Sequence, residues 1–346
     1  MSRRGMISLV TLLLLLLIVF FARKEIMHAW ELIGSLDLWI LSLLIPAQII
    51  VYFAGGEMMF SYLRYKKAMR KTSLFMQGRM ALELNFVNHI LPSGGVSGIS
   101  YMTWRLGKLG VSPGRATMSQ IVRYVAAFLA YLTLLVVSVI FITLDEGVSR
   151  PIILVSSILA STIIFFMIFG TYIISSEVRL KNFAGWLTHW GNRAITFFTF
   201  GKKKKVLKLH AIEEFFKDFH DDYKQLKNDK RILIRPYLWG IFYNVMDVML
   251  FVIGFWALGH TVNPAVIVIA YGIASLAGFF MITPGGAGAY EALMIGFMSS
   301  AGIPQGVVIA GVLVTRVVLL LGTIISGYVF YQLTIIKYGK SPTHPN

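Results

Sequence analysis

Long apolar runs separated by short polar breaks set the pattern of this chain. They lie at 6–22, 38 to about 60, and about 117–144, 151–175, 236–258, 264–283 and 306–336. A helix needs about 20 largely apolar residues to cross a ~30 Å hydrocarbon core. The pattern therefore predicts an all-α, polytopic integral membrane protein of about six to eight transmembrane helices. The first run, LVTLLLLLLIVFF at its centre, follows Arg3 and Arg4 as a signal peptide would. It ends in Arg23-Lys24-Glu25 without a small-residue cleavage site, so it reads as a retained span. The interval between the second and third runs is less apolar and rich in glycine.

Composition sharpens this picture. Apolar residues make up 57% and charged residues 14%, against roughly 45–50% and about 25% in a soluble domain. A water-soluble enzyme, a disordered tail and a coiled coil are excluded. The chain has no cysteine, which removes disulfides, zinc–thiolate sites and thiol nucleophiles. The net charge of +16 resides in particular loops. Arg64, Lys66, Lys67, Arg70 and Lys71 follow the second run, Lys202–Lys205 lie in the polar stretch 176–235, and Lys337 and Lys340 follow the last run. The turns Asp145-Glu146-Gly147 and LGHTVNP lack Lys and Arg. Lys and Arg concentrate on the cytoplasmic side of membrane proteins. Both termini and 176–235 are predicted to be cytoplasmic, with the protein in the cell membrane.

Within that insert Leu209, Ile212, Phe216, Phe219, Tyr223 and Leu226 form one helical stripe. It predicts an amphipathic helix lying on the membrane or on the bundle, with a partner-binding helix as the alternative. The four lysines suit anionic lipid head groups, at about 1 kcal/mol each near the surface. No nucleic-acid partner is implied, because aromatic residues are not interleaved with the basic ones. Trp186 and Trp190 fit an interfacial aromatic belt.

Two distant stretches are alike. Residues 91–124 read LPSGGVSGISYMTWRLGKLGVSPGRATMSQIVRY, and residues 282–318 read ITPGGAGAYEALMIGFMSSAGIPQGVVIAGVLVTRVV. Each has a proline beside a glycine pair (Pro92 with Gly94 and Gly95, Pro284 with Gly285 and Gly286), then a short helical arm, a Gly-Val/Ile turn with proline, and a long apolar helix holding Arg123 or Arg316. Pro-Gly-Gly cannot continue a helix. Broken backbone at membrane depth is tolerated only where protein or a wet cavity satisfies it. Both stretches are expected to be re-entrant helical hairpins, the first opening to the cytoplasm and the second, about 264–303, to the outside. A full crossing by 264–283 would spoil that parity. The whole chain, 1–346, then forms a single membrane domain with inverted repeats at about 38–144 and 236–336, the plan of many secondary transporters.

Charges in a bilayer cost at least ~2.5–3.5 kcal/mol at its centre, so they are functional candidates. The chain offers Glu57, Glu83, Arg123, Asp247, Glu291 and Arg316, with Asn85, Asn88, His89 and Asn244. Arg123 and Arg316, with the glycine pairs, form the expected binding site for a lipid phosphate, which a guanidinium grips through a planar fork. Asp247, Glu291 and Glu57 are proton or ion relay candidates. The structural alternatives are an ion pair of either arginine with Glu291 or Asp247, a Glu57 that snorkels to the interface, and a His89 that is merely a satisfied polar residue. There is no P-loop, HExxH or GxSxG, so no catalytic residue, metal or cofactor is assigned.

The pairing of LPSGGVSG with TPGGAGAYE, each before an Arg-bearing helix, resembles the membrane region of lysylphosphatidylglycerol synthases, over roughly 5–335. This region is the flippase half of the multiple peptide resistance factor, linked to antimicrobial peptide resistance. The resemblance implies lipid translocation, with Arg316, Asp247 and Glu291 the first positions to test. It does not imply aminoacyl transfer, since the chain ends at Asn346 with no room for a synthase domain. The expected function is flipping of a phospholipid or another phosphate-bearing lipid. The alternatives are an enzyme acting on lipids or polyprenyl phosphates, and a scaffold for a separate lipid-synthesising enzyme. A homo-oligomer is a further partner to consider.

Overall fold

A computed structural model describes residues 36–69, 72–90, 96–145, 150–179, 223–280 and 288–339, with a few more between 181 and 189. The run at 6–22, the glycines Gly94, Gly95, Gly285 and Gly286, and most of the polar insert lie outside the described residues. Among the described residues every regular element is helical. Asp37 starts the first helix by accepting the N–H groups of Trp39 and Ile40 at 2.9 and 3.1 Å, the usual remedy for orphan donors at a helix start. Helix α1, Leu38–Ser42, leads directly into α2, Leu44–Tyr65. After α3, Leu74–Ile90, and α4, Val96–Gly107, come the long helices α5, Pro113–Asp145, and α6, Arg150–Ile174. Then follow α7, Ile234–Ala257, α8, Pro264–Phe280, α9, Ala289–Ser300, and α10, Gln305–Tyr338.

Among the described residues, five helical stretches are long and apolar enough to cross a membrane: Leu38–Tyr65, Pro113–Leu144, Ile152–Ile174, Lys230–Ala257 and Gln305–Tyr338. They coincide with five of the apolar runs. Of the run at 264–283, the described residues form α8, Pro264–Phe280.

Helices α2 to α5 and α7 to α10 form two sets of four along the chain. Packing follows the same order. Helices α2 and α7 lie against each other, α3 on α10 is matched by α8 on α5, and α7 on α5 by α2 on α10. Helix α6 stands at the rim against α5 and α8, most of its length exposed.

The ends of the bundle differ in charge. The end of α2, the α4–α5 turn and the start of α7 share one apolar cluster containing Leu63, Leu106, Val111 and Ile232. The Tyr65 hydroxyl donates to Asp229, holding that carboxyl below its usual range, and Lys66 donates to Gln225 at 2.5 Å. The end of α10 joins them, because the Arg105 guanidinium lies 4.6 Å from the Tyr338 ring centre. Arg64, Lys66, Lys108, Arg115, Arg231 and Lys337 therefore gather at one end.

Helices α7 and α10 cross closely through small residues, which sets the distance between the side chains they carry into the interior. A Cβ on Gly254 would run into the Thr315 hydroxyl and reach the Thr315 Cβ at 3.1 Å, while one on Gly311 would strike the Phe255 ring. Small residues at such crossings let backbones approach. Gly254→Val is expected to cost about 1–3 kcal/mol through overpacking, read as a lower midpoint of thermal unfolding in detergent micelles. An unchanged midpoint would mean the crossing yields freely.

Candidate functional site

A polar cavity of about 180 Å³ lies inside the bundle. Its polar lining comes largely as pairs one helical turn apart, since residues four apart share a helix face. These are Gln48 and Tyr52 on α2, Asn85 and His89 on α3, Tyr243 and Asp247 on α7, and Tyr271 and Ser275 on α8. Tyr290 at the start of α9 and Arg316 and Thr323 on α10 complete it. Pockets for drug-sized ligands span about 300–1,000 Å³. This one is smaller, and in this conformation admits a small polar group without acyl chains.

Three clusters give the cavity its chemistry. At the first, Arg316 Nε donates to Glu291 Oε1 at 2.7 Å, and the guanidinium lies 4.2 Å from the Tyr290 ring centre. Glu291 also begins α9, because the Gly288 N–H donates to its Oε2 at 2.7 Å. One carboxylate thus caps a helix and holds the cation. At the second, Tyr271 donates its hydroxyl to Asp247 Oδ2 at 2.5 Å, with Tyr243 one turn before Asp247 on α7. Asp247 stands about halfway along α7. At the third, Gln48 Nε2 donates to Tyr52 Oη at 2.8 Å, to the Leu319 carbonyl at 2.6 Å and to Thr323 Oγ1 at 3.0 Å. The cavity is therefore lined by one cation, one carboxylate held by a hydroxyl, and many neutral donors and acceptors.

The sequence-derived candidates separate in space. Arg316 and Asp247 line the cavity, and Glu291 holds Arg316 from outside the lining. Of the ion pairs considered from sequence, the structure contains Arg316 with Glu291, and Asp247 takes the Tyr271 hydroxyl. Arg123 does not line the cavity. Its guanidinium lies 4.7 Å from the Tyr124 ring centre, and its Nε is buried without a hydrogen bond. Glu57 is also elsewhere. It is 3% exposed and held by Arg64, which donates to both its oxygens and to Gln77 Oε1 at 2.6 Å. It does not snorkel, because Arg64, seven residues on, folds back over it inside the bundle. Glu57 and Asp247 nonetheless fall equally far from the starts of their helices, α2 and α7. His89 lines the cavity, with Nδ1 2.8 Å from the Asn85 carbonyl. Asn244 joins α7 to the Ala127 carbonyl of α5 at 3.0 Å. Asn88 lies against Gly98 where α3 meets α4.

Glu83 centres a second buried polar group. It is fully buried and accepts from Arg79 Nε at 2.8 Å, Arg105 Nε at 3.3 Å, the Tyr101 hydroxyl at 2.9 Å and the Thr334 hydroxyl at 2.5 Å. It binds α3, α4 and α10 together. Among the described residues, no group of three His, Cys, Asp or Glu could hold a metal ion.

Sequence reasoning missed Gln48, Tyr52, Tyr243, Tyr271, Ser275, Tyr290 and Thr323. The spacing of four between polar residues in apolar helices was the available signal.

Comparison with known proteins agrees with this architecture. The profile described as the lysylphosphatidylglycerol synthase TM region matches residues 6–327. A UPF0104 membrane protein of Methanothermobacter thermautotrophicus is 23% identical over 236 residues, covering 67% of each chain. No solved structure matches.

Proposed function

Because the chain belongs to the family of lysylphosphatidylglycerol synthase transmembrane regions, we propose that this multi-pass membrane protein moves a phosphate-bearing lipid between leaflets through the polar cavity. The observation that carries this reading is the placement of Arg316 and Asp247 in the lining of one small polar space inside an apolar bundle, with Glu291 holding Arg316 from beside it. A cation so placed costs too much to be retained without partners, and a planar guanidinium suits a phosphodiester. A lipid phosphate would displace Glu291 from Arg316, and Gly288 would keep the freed carboxylate in place. The head group passes through the polar space while the tails stay in the bilayer.

Two features of the fold support the route. The matched packing of α2–α5 and α7–α10 fits inverted repeats, with α3–α4 and α8–α9 as hairpins entering from opposite faces. Such repeats place substrate sites near the midplane. The gathering of basic residues at one end fits a cytoplasmic face there, which puts the C-terminal end of α10 in the cytoplasm.

Proteoliposomes containing the protein and lipids with fluorescent head groups test the proposal. A membrane-impermeant quencher should reach inner-leaflet label several-fold faster than in protein-free vesicles, and no new lipid species should appear by mass spectrometry. Exchange no faster than in empty vesicles, for anionic and zwitterionic phospholipids alike, would refute the reading.

A further inference from the structure

We propose that the turn between α4 and α5 is a docking site for the head group of an anionic phospholipid of the leaflet at the basic end, separate from the polar cavity. A pocket of about 570 Å³ opens there, within the range of small-ligand sites. Its polar side is Lys108 with the hydroxyls of Ser100, Thr103 and Thr117, the two threonine oxygens standing 3.1 Å apart. Its apolar side is Ile99, Trp104 and Pro113. Among the described residues, Lys108 has no carboxylate partner. Pro113 opens the 33-residue α5, so the positive end of that helix dipole faces the pocket.

Charge around the site points to an anion. The buried group behind α4 sets Arg79 and Arg105 against the single carboxylate of Glu83, and Arg105 Nη1 is buried without a partner. Lys108 adds to this excess. The corresponding turn of the second half reads Ser-Ala-Gly-Ile-Pro over 300–304, with Ser300 where the first half has Lys108. The cation therefore belongs to one end only. A leaflet rich in anionic lipid carries a negative surface potential that draws such cations to it. The apolar wall selects a lipid over free phosphate, because it gives the glycerol and upper acyl carbons a surface to cover.

The test is binding of radiolabelled phosphatidylglycerol to the purified full chain in detergent micelles, a readout independent of leaflet exchange. Lys108→Gln is expected to weaken binding about fivefold, the effect of one lysine near an anionic surface, and Lys108→Arg to preserve it. Thr103→Val/Thr117→Val should weaken it further with the unfolding midpoint unchanged. Ten millimolar inorganic phosphate should not displace the lipid. Parental affinity in Lys108→Gln, equal retention of phosphatidylcholine, or displacement by phosphate would each overturn the proposal.

Discussion

Glu83→Ala is expected to lower stability by about 3–5 kcal/mol, the usual cost of breaking a buried ion pair by removing one partner. Two guanidinium groups and two hydroxyls converge on that carboxylate. Without it, Arg105, only 1% exposed, would be a buried cation with nothing to neutralise it. Three helices would lose their common tie, and α4 would lose its main polar attachment to α3. The measurement is thermal unfolding in detergent micelles, with yield of monodisperse protein as a second reading. Glu83→Gln should suffer nearly as much, because an amide supplies shape but no charge. Glu83→Gln/Arg105→Met should recover part of the loss, since removing both members of a pair leaves no orphan. A midpoint for Glu83→Ala within about 1 °C of the parent, where ~1 kcal/mol moves a chain this size by roughly 1.4 °C, would show that the cluster is not a structural anchor.

Arg316→Ala is expected to abolish lipid exchange while leaving the helices intact. Truncating one member of a buried, hydrogen-bonded charge pair costs about 2–5 kcal/mol, or at least about 30-fold in rate. Part of that loss would come from stranding Glu291. Arg316→Ala/Glu291→Gln separates the effects, because the double variant leaves no stranded charge and still lacks the phosphate fork. It should fold like the parent and still fail to exchange lipid. Arg316→Lys should recover little, since an ammonium lacks the planar pair of donors. Parental exchange in a folded Arg316→Ala/Glu291→Gln protein would remove the arginine from the mechanism and leave Asp247 with its tyrosines as the polar step.

The local pattern of the chain read well because its solvent is a bilayer. A backbone in hydrocarbon must satisfy its own hydrogen bonds, so apolar runs of sufficient length become helices whatever surrounds them. The five span-length helices follow from that constraint. The acids and arginines were legible as candidates because a charge in an apolar run is costly enough to need a reason.

Which candidates meet was another matter. Arg123 and Arg316 look equivalent in the two similar stretches, yet Arg316 lines the cavity against Tyr290 and Glu291, while Arg123 lies against Tyr124 outside it. Glu57 and Asp247 sit at matching places too, yet Arg64 holds the first, and Tyr271 of α8 holds the second.

The sequence by itself determined the membrane class, five of the spans and the list of costly charges, since each depends on a few neighbouring residues and the solvent they meet. Only the tertiary structure decided which charges pair and which line a common space. That depends on the rotation of each helix about its axis and on how closely glycines let helices cross, and these are properties of the helices packed together.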